Sequence, residues 1–578
     1  MIPKERMNCR GFVTAAVATL VLSHAPATRV FASDAAAADA AAADPAAGDA
    51  AGPGAAGPTQ RCGQLALYNS RYMSQLAGLS DAPSTITDAK IIPAERDLPE
   101  VCQVQGVVAP SIGYVLWMPI TTWNGRFMMQ GCGGMCGNFF TAQAEEGLVR
   151  HYAVVVTDMG HKGNGGMALY GYENLQGQID FGFRATHVVT LVAKAVIDDF
   201  YAKTPERSYF VGCSTGGRQG MVEAERFPED YDGIIAGAPP WNEMGDLPLF
   251  MSWSARANID ADGKNILDAD KLPMIHSAVL TACDKLDGLK DGLLQDPRLC
   301  HWDPAQIQCG TGAQHDPSAA GTCLTAAEVG VVRKIYSGAT DSHGKALYFG
   351  MERGSEYVWT PGFIGADGAP GFNLGGKGSF GSQFVGDLGF FYPVGPTYDI
   401  RQFDYDHDPQ RLAMTEYIYD AQNPDLRHFR AAGGKLILYH GWDDNEIPPR
   451  TTVDYYESAT RLLGGEKATK AFFRTFMIPG MNHCRRGPGG DGVDWISYLE
   501  RWVENDQAPE AVTAYHLKSQ QTYSGLPRLR FPLEPALYDR TRPVYAFPDV
   551  AKWSGKGDPN DAANWIKAPR TVTPSANP

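Results

Sequence analysis

The segment VGCSTGGRQGM, Val211 to Met221, sets a cysteine directly before a serine in a glycine-rich turn. Gly212 to Gly216 fits G-x-S-x-G, a weak pattern by itself in a chain with 64 glycines. Its setting strengthens it. SYFVG before it reads as a strand and GRQGMVEAERFP after it as a helix, the strand-turn-helix context that a nucleophile elbow needs. Small residues there permit the strained turn that exposes the Ser214 hydroxyl. The helix N-terminus behind it offers N–H groups to a developing oxyanion.

A serine is a poor nucleophile unless a base takes its proton, so a histidine and an orienting carboxylate must follow. In this type of sheet the chain order is Ser, then Asp or Glu, then His, each on a loop after a strand. Asp443 and Asp444 follow KLILYHGW, and His483 follows AFFRTFMIPG. His440, at a strand end, and His516, in a polar segment, fit less well. Ser214 and His483 must meet within hydrogen-bond reach, which brings Cys213 and Cys484 near disulfide distance. A Cys213–Cys484 bridge is therefore expected, stapling the nucleophile loop to the base loop. Cys213 reads as a clamp, not a rival nucleophile.

Outward from this turn, apolar runs alternate with helical patterns. GYVLWMPI, GRFMMQG, YAVVVTDMG, YDGIIAGAP, GGKLILYHG and KAFFRTFMIPG read as strands, while ATHVVTLVAKAVIDDFYA and VDYYESATRLLG read as amphipathic helices. This alternation predicts an α/β fold with a mainly parallel sheet covered by helices. Between Trp241 and about Asp420 the pattern fails, giving way to glycine, proline, aromatic residues and four cysteines. The expected organisation is a core in two parts, 59–240 and 421–578, interrupted by an inserted lid domain, 241–420.

The N-terminus reads as an export signal over 1–32. Lys4, Arg6 and Arg10 precede the apolar run GFVTAAVATLVL, and small residues suited to cleavage follow at Ala25 or Ala32. Residues 33–58 are almost wholly Ala, Asp, Gly and Pro and read as a flexible leader. No stretch is long and apolar enough for a membrane anchor. A net charge of -15 argues against nucleic-acid and anionic-membrane partners. Beyond Cys9 in the signal, ten cysteines remain, an even number that suits five disulfides in an exported protein. Secreted or periplasmic localisation is expected, as a monomer or weak homo-oligomer.

GCSTGG, HGWDD and PGMNHC together resemble the tannase and feruloyl esterase family of secreted α/β hydrolases, which also holds mono(2-hydroxyethyl) terephthalate hydrolases. The resemblance runs from about Arg61 to about Ala568. It implies an α/β-hydrolase core with a large lid, and Ser214 as nucleophile, Asp444 as orienter and His483 as base. It implies an oxyanion hole from the N–H groups of Thr215 and of Gly134, in the loop QGCGGMCGN, with Cys132 and Cys136 bridged across that loop. The remaining pairs it implies are Cys62–Cys102, Cys283–Cys300 and Cys309–Cys323.

CDKLDGLKDGLLQDPRLC, Cys283 to Cys300, crowds Asp284, Asp287 and Asp291 onto one short loop. Carboxylates so close repel unless a cation sits among them, and Ca²⁺ suits a flexible oxygen cage. The resemblance extends to the family's lid calcium site, which adds the carbonyls of Leu289 and Leu293.

The expected substrate is a small aromatic ester. Trp359, Phe363, Phe372, Phe380, Phe384, Phe390, Phe391, Tyr392 and Tyr398 crowd one part of the insertion, where some could stack on a planar acyl group. The terephthalate-ester enzymes hold their substrate's free carboxylate with a lid arginine. Here the stretch 354–400 contains none, and Lys377 is its only basic residue. Thr215 after the nucleophile matches the esterases of phenolic acids. A serine esterase of feruloyl esterase or tannase type is therefore expected. A terephthalate monoester hydrolase is the alternative, and a catalytically silent binding protein a remote one.

Overall fold

The computed structural model describes residues 57–570 except 69–71, 74–76, 80–82, 311–321, 361, 363, 365–377 and 520–528. The expected signal, nearly all of the leader, Phe363, Phe372 and Lys377 lie outside the described residues.

Nine strands form one sheet: β1 (Ser84–Ile92), β2 (Val101–Val108), β3 (Ile112–Pro119), β4 (Arg126–Gln130), β5 (Ala153–Thr157), β6 (Arg207–Cys213), β7 (Gly233–Gly237), β8 (Lys435–Gly441) and β9 (Phe473–Ile478). Their spatial order is β1-β2-β3-β5-β4-β6-β7-β8-β9. The pairs from β5 through β9 are parallel, while β1-β2, β2-β3 and β3-β5 are antiparallel. The mainly parallel sheet read from the sequence is present, with an antiparallel flank.

The continuous apolar runs are explained by burial on both faces. Successive strand residues alternate sides. Phe127, Met129, Ile234, Leu436 and Leu438 join one buried cluster with the helix Ala185–Tyr201, and Met128, Ile235 and Ile437 join another with Leu499 and Trp502 of the helix Trp495–Asn505.

Although β7 and β8 are neighbours, the long segment between them contains no strand of the sheet among the described residues. It is helical and irregular, and it packs onto the core. The Arg218 guanidinium donates to the Tyr419 carbonyl at 3.1 Å, and the Trp241 indole to the Thr451 carbonyl at 3.0 Å. The described residues form one compact unit. Beyond β9, β10 (Ala511–Leu517) pairs with β11 (Tyr538–Tyr545), and β12 (Val550–Trp553) with β13 (Trp565–Ala568).

Among the described residues five disulfides are formed: Cys62–Cys102, Cys132–Cys136, Cys213–Cys484, Cys283–Cys300 and Cys309–Cys323. No helix among the described residues is long and apolar enough to cross a membrane.

Candidate active site

Three strands deliver the expected residues to one end of the sheet. Ser214 follows β6, Asp444 follows β8 and His483 follows β9, all at carboxyl ends of parallel strands. In open α/β sheets that edge is where ligands bind.

Ser214 has φ 61° and ψ -129°, a conformation few non-glycine residues adopt. It directly precedes the helix Thr215–Arg226. The turn is possible only because its neighbours lack side chains. A Cβ on Gly212 would lie 2.5 Å from the Gly216 carbonyl, and one on Gly217 would lie 2.2 Å from the Gly237 oxygen. Strain at this serine, held by backbone on both sides, is the structural content of the G-x-S-x-G pattern.

Asp444 is fully buried and its four contacts leave it no freedom. Oδ1 accepts from the Glu446 and Ile447 N–H groups at 2.8 and 2.9 Å. Oδ2 lies 2.7 Å from His483 Nδ1 and 3.0 Å from His440 Nε2. Burial alone would push this carboxyl up, but the two imidazoles hold it far below the usual carboxylate range. In His483 burial disfavours the proton, yet the Asp444 and Glu446 carboxylates outweigh it and push the pKa up to about 9.

Asp444, not Asp443, meets the histidine. Asp443 is turned toward the inserted segment, with its Oδ2 3.1 Å from the Tyr357 hydroxyl. His440 is the residue that sequence reasoning undervalued. Its Nε2 lies 3.0 Å from the ionised Asp444 carboxylate, which only accepts, so Nε2 donates there, while Nδ1 faces the Thr452 hydroxyl at 2.7 Å. The signal was present in the i, i+4 spacing of His440 and Asp444.

With Nδ1 committed to Asp444, His483 has only Nε2 for chemistry. That atom is buried and makes no hydrogen bond among the described residues, Ser214 included. The expected Ser214–His483 contact is therefore open. Catalytic hydrogen bonds commonly tighten only when substrate is bound. The Cys213–Cys484 disulfide limits how far the two loops can part, with Cα atoms 5.9 Å apart.

The loop after β4 is joined to the serine turn. Gly134 has φ 56°, and a Cβ there would lie 2.3 Å from the Gly165 oxygen. The Thr215 hydroxyl donates to the Gly134 carbonyl at 2.7 Å, tying this loop to the serine turn. The Gly134 N–H donates to no backbone carbonyl among the described residues. The Thr215 N–H belongs to the first helical turn, whose amides have no partner within the helix. Two donors are thus free beside the serine.

The acidic loop is held largely by its own backbone. Asp284 accepts from the N–H groups of Asp291 and Gly292, and Asp287 from that of Leu289. Asp291 Oδ2 meets Arg542 at 2.8 Å, while its Oδ1 is buried without a partner. Burial, with Asp291 and Asp284 close by, pushes the Asp287 carboxyl up to about 6. The group of potential metal ligands with the closest atoms is elsewhere. His187, Glu223 and Asp230 have donor atoms within 4.8 Å of one another.

Of the aromatic residues singled out in the insertion, Trp359, Phe384 and Phe390 are buried, in the same apolar cluster as Phe127 and Leu436 of the sheet. Phe380, Phe391 and Tyr398 are half-buried, and Tyr392 is exposed.

The profile of the family described as "Tannase and feruloyl esterase" matches residues 97–568. The chain belongs to the tannase and feruloyl esterase family. It is 32% identical to a mono(2-hydroxyethyl) terephthalate hydrolase from Piscinibacter sakaiensis, over 88% of this chain and 90% of that one. It is also 32% identical to a probable feruloyl esterase B-2 from Aspergillus flavus, over 70% of this chain and 77% of that one. The crystal structure of feruloyl esterase B from Aspergillus oryzae superposes with a TM-score of 0.72 at 26% identity, covering 84% of this chain and 97% of that one. This family member has the α/β-hydrolase fold and is an esterase, a carboxylic ester hydrolase.

Proposed function

We propose that the enzyme is an exported serine esterase that hydrolyses esters of small aromatic, phenolic acids through a Ser214-His483-Asp444 triad. The observation that carries this reading is the arrangement around His483. Its Nδ1 is anchored on Asp444 at 2.7 Å, its Nε2 is unengaged, and its neighbour Cys484 is bonded to the residue before the strained Ser214.

The Ser214 Oγ attacks the ester carbonyl carbon while His483 Nε2 takes its proton. Asp444 steadies the imidazolium, and its own anchoring by two N–H groups and His440 keeps it ionised. The N–H groups of Gly134 and Thr215 receive the oxyanion. Collapse of the tetrahedral intermediate breaks the bond to the alcohol, whose oxygen collects the proton from Nε2. Water then repeats the sequence, giving its proton to His483 and its oxygen to the acyl carbon, and frees the acid and Ser214.

Aromatic acids are favoured by the kinship and by the aromatic content of the insertion. The two named esterase relatives and the superposed structure act on aromatic esters by name, and half-buried Phe380, Phe391 and Tyr398 are candidates for the acyl wall. The Piscinibacter relative keeps a terephthalate monoester in view as a second reading. Against it stands the absence of any arginine from 354–400. A flexible lysine does not replace a bidentate fork for a free carboxylate. Kinetics on methyl ferulate, methyl gallate and a terephthalate monoester decide between the readings. A tenfold preference for the terephthalate monoester would overturn ours.

A structural Ca²⁺ is part of the proposal. Asp284, Asp287 and Asp291 with the carbonyls of Leu289 and Leu293 would hold it. The orphaned, buried Asp291 Oδ1 is what supports a hard cation there. Its role would be to brace the loop, which packs on the base loop. A Cβ on Gly480 would meet Leu293 Cδ2 at 2.4 Å. Secretion or delivery to the periplasm accords with the five disulfides.

A further inference from the structure

The nitrogen that must handle the proton has a carboxylate beside it. Glu446 Oε2 lies 3.6 Å from His483 Nε2, and the Glu446 side chain is 44% exposed. At that distance it does not hydrogen-bond the imidazole, so it leaves Nε2 available. Its position is not accidental. The Glu446 N–H donates to Asp444 Oδ1, the Ile447 N–H does the same, and the Asn445 amide donates to the Val358 carbonyl at 3.0 Å. The turn that orients Asp444 therefore also fixes where Glu446 stands. Among the described residues Glu446 has no lysine or arginine partner within salt-bridge distance.

This inference rests on the reading of His483 as the base. The alkoxide leaving Ser214's acyl group must come within about 3 Å of Nε2 to collect its proton. The acyl half stays on the serine, so the group that then lies nearest Glu446 is the alcohol. An ionised carboxylate accepts hydrogen bonds and donates none. It rewards hydroxyls on that alcohol and repels a second negative charge, in a protein whose net charge is already -15.

We propose that Glu446 is a specificity-determining residue for the alcohol half of the ester, selecting neutral, hydroxyl-bearing alcohols and rejecting alcohols that carry a carboxylate.

The test uses the full-length mature enzyme and one cinnamic acid esterified to methanol, glycerol or glycolic acid. Wild type should hydrolyse the glyceryl ester at least tenfold faster in kcat/KM than the glycolic acid ester. Glu446→Gln, which keeps the shape and removes the charge, should bring the two within about threefold, chiefly by raising the glycolic ester. Salt should narrow the wild-type gap and leave the variant unchanged. Because Glu446 also helps raise the His483 pKa, the pH profile shifts for all three esters in either case, and a purely electronic role would leave the glyceryl to glycolic ratio at its wild-type value. A wild-type ratio that survives in Glu446→Gln, with methyl ester hydrolysis intact, overturns the role of Glu446 alone. Failure of wild type to cleave the methyl ester overturns the parent reading. If Glu446→Gln folds poorly, Glu446→Ala and Glu446→Asp supply the same comparison, the second expected to retain the discrimination.

Discussion

Cys213 and Cys484 are bonded across 271 residues, and each is the immediate neighbour of a residue proposed to do the chemistry, Ser214 and His483. The bond closes a very long loop and also sets the spacing of two active-site turns. Replacing both cysteines with alanine should therefore cost twice. Stability should fall by about 2–5 kcal/mol. The kcat should drop at least tenfold even at temperatures where the variant is folded, because the turns lose their registry. Denaturation curves with single-temperature kinetics check this. Full activity in a folded double variant would assign the disulfide to stability alone.

The pH dependence follows from two opposite shifts. His483 must be neutral to take a proton, and its pKa is raised from 6.5 to about 9. The kcat/KM should thus climb with pH along a limb whose midpoint lies above 6.5. Stability should run the other way. The raised His483 contributes fully below 6.5, and that contribution disappears as pH rises through about 9. The depressed Asp444 contributes above 3.8 and loses its contribution only as pH falls well below that. Between 3.8 and 6.5 both contributions are present, so the melting temperature should peak on the acid side of the activity optimum. An activity limb centred below 6.5 would contradict the environment described for His483.

Tyr357 couples the inserted segment to the catalytic loops. Its hydroxyl lies 2.6 Å from Asn482 Oδ1 and 3.1 Å from Asp443 Oδ2, residues adjacent in sequence to His483 and Asp444. Tyr357→Phe removes this link and leaves the Asp443 carboxyl, which burial pushes well up, without its hydroxyl neighbour. We expect kcat/KM to fall three- to tenfold, roughly the 1 kcal/mol of one hydrogen bond. An unchanged value would mean the loops hold themselves.

Chelation should lower the melting temperature and leave residual activity that returns with added Ca²⁺. Asp287→Asn should reproduce the chelated state without chelator. Metal analysis of the protein purified without chelator, finding no calcium, would reject the site.

What the sequence revealed and what it hid have physical causes. β3 through β9 were legible because strands buried on both faces are continuous apolar runs. β1, β2 and β10 to β13 were not, because strands such as STITDAKII and YDRTRPVY mix polar and apolar residues without that signature. Ser214, Asp444 and His483 could be ordered because each follows a strong strand. His440, Tyr357 and Glu446 escaped as parts of the site. Their roles arise from contacts made only after folding, in Tyr357's case with residues 86 and 125 positions away. Which aromatic residues of the insertion are used for packing was not legible from composition, and burial assigns Trp359, Phe384 and Phe390 to that role.

The most direct test of the account asks whether Ser214 carries the acyl group. An acid-quenched reaction with an activated aromatic ester, digested and analysed by mass spectrometry, should place the acyl mass on the peptide containing Ser214. Ser214→Ala should fold normally, show no such adduct and lose kcat by several orders of magnitude, roughly 10³-fold or more. An adduct on another residue, or a Ser214→Ala variant keeping more than about a tenth of wild-type kcat, would contradict it.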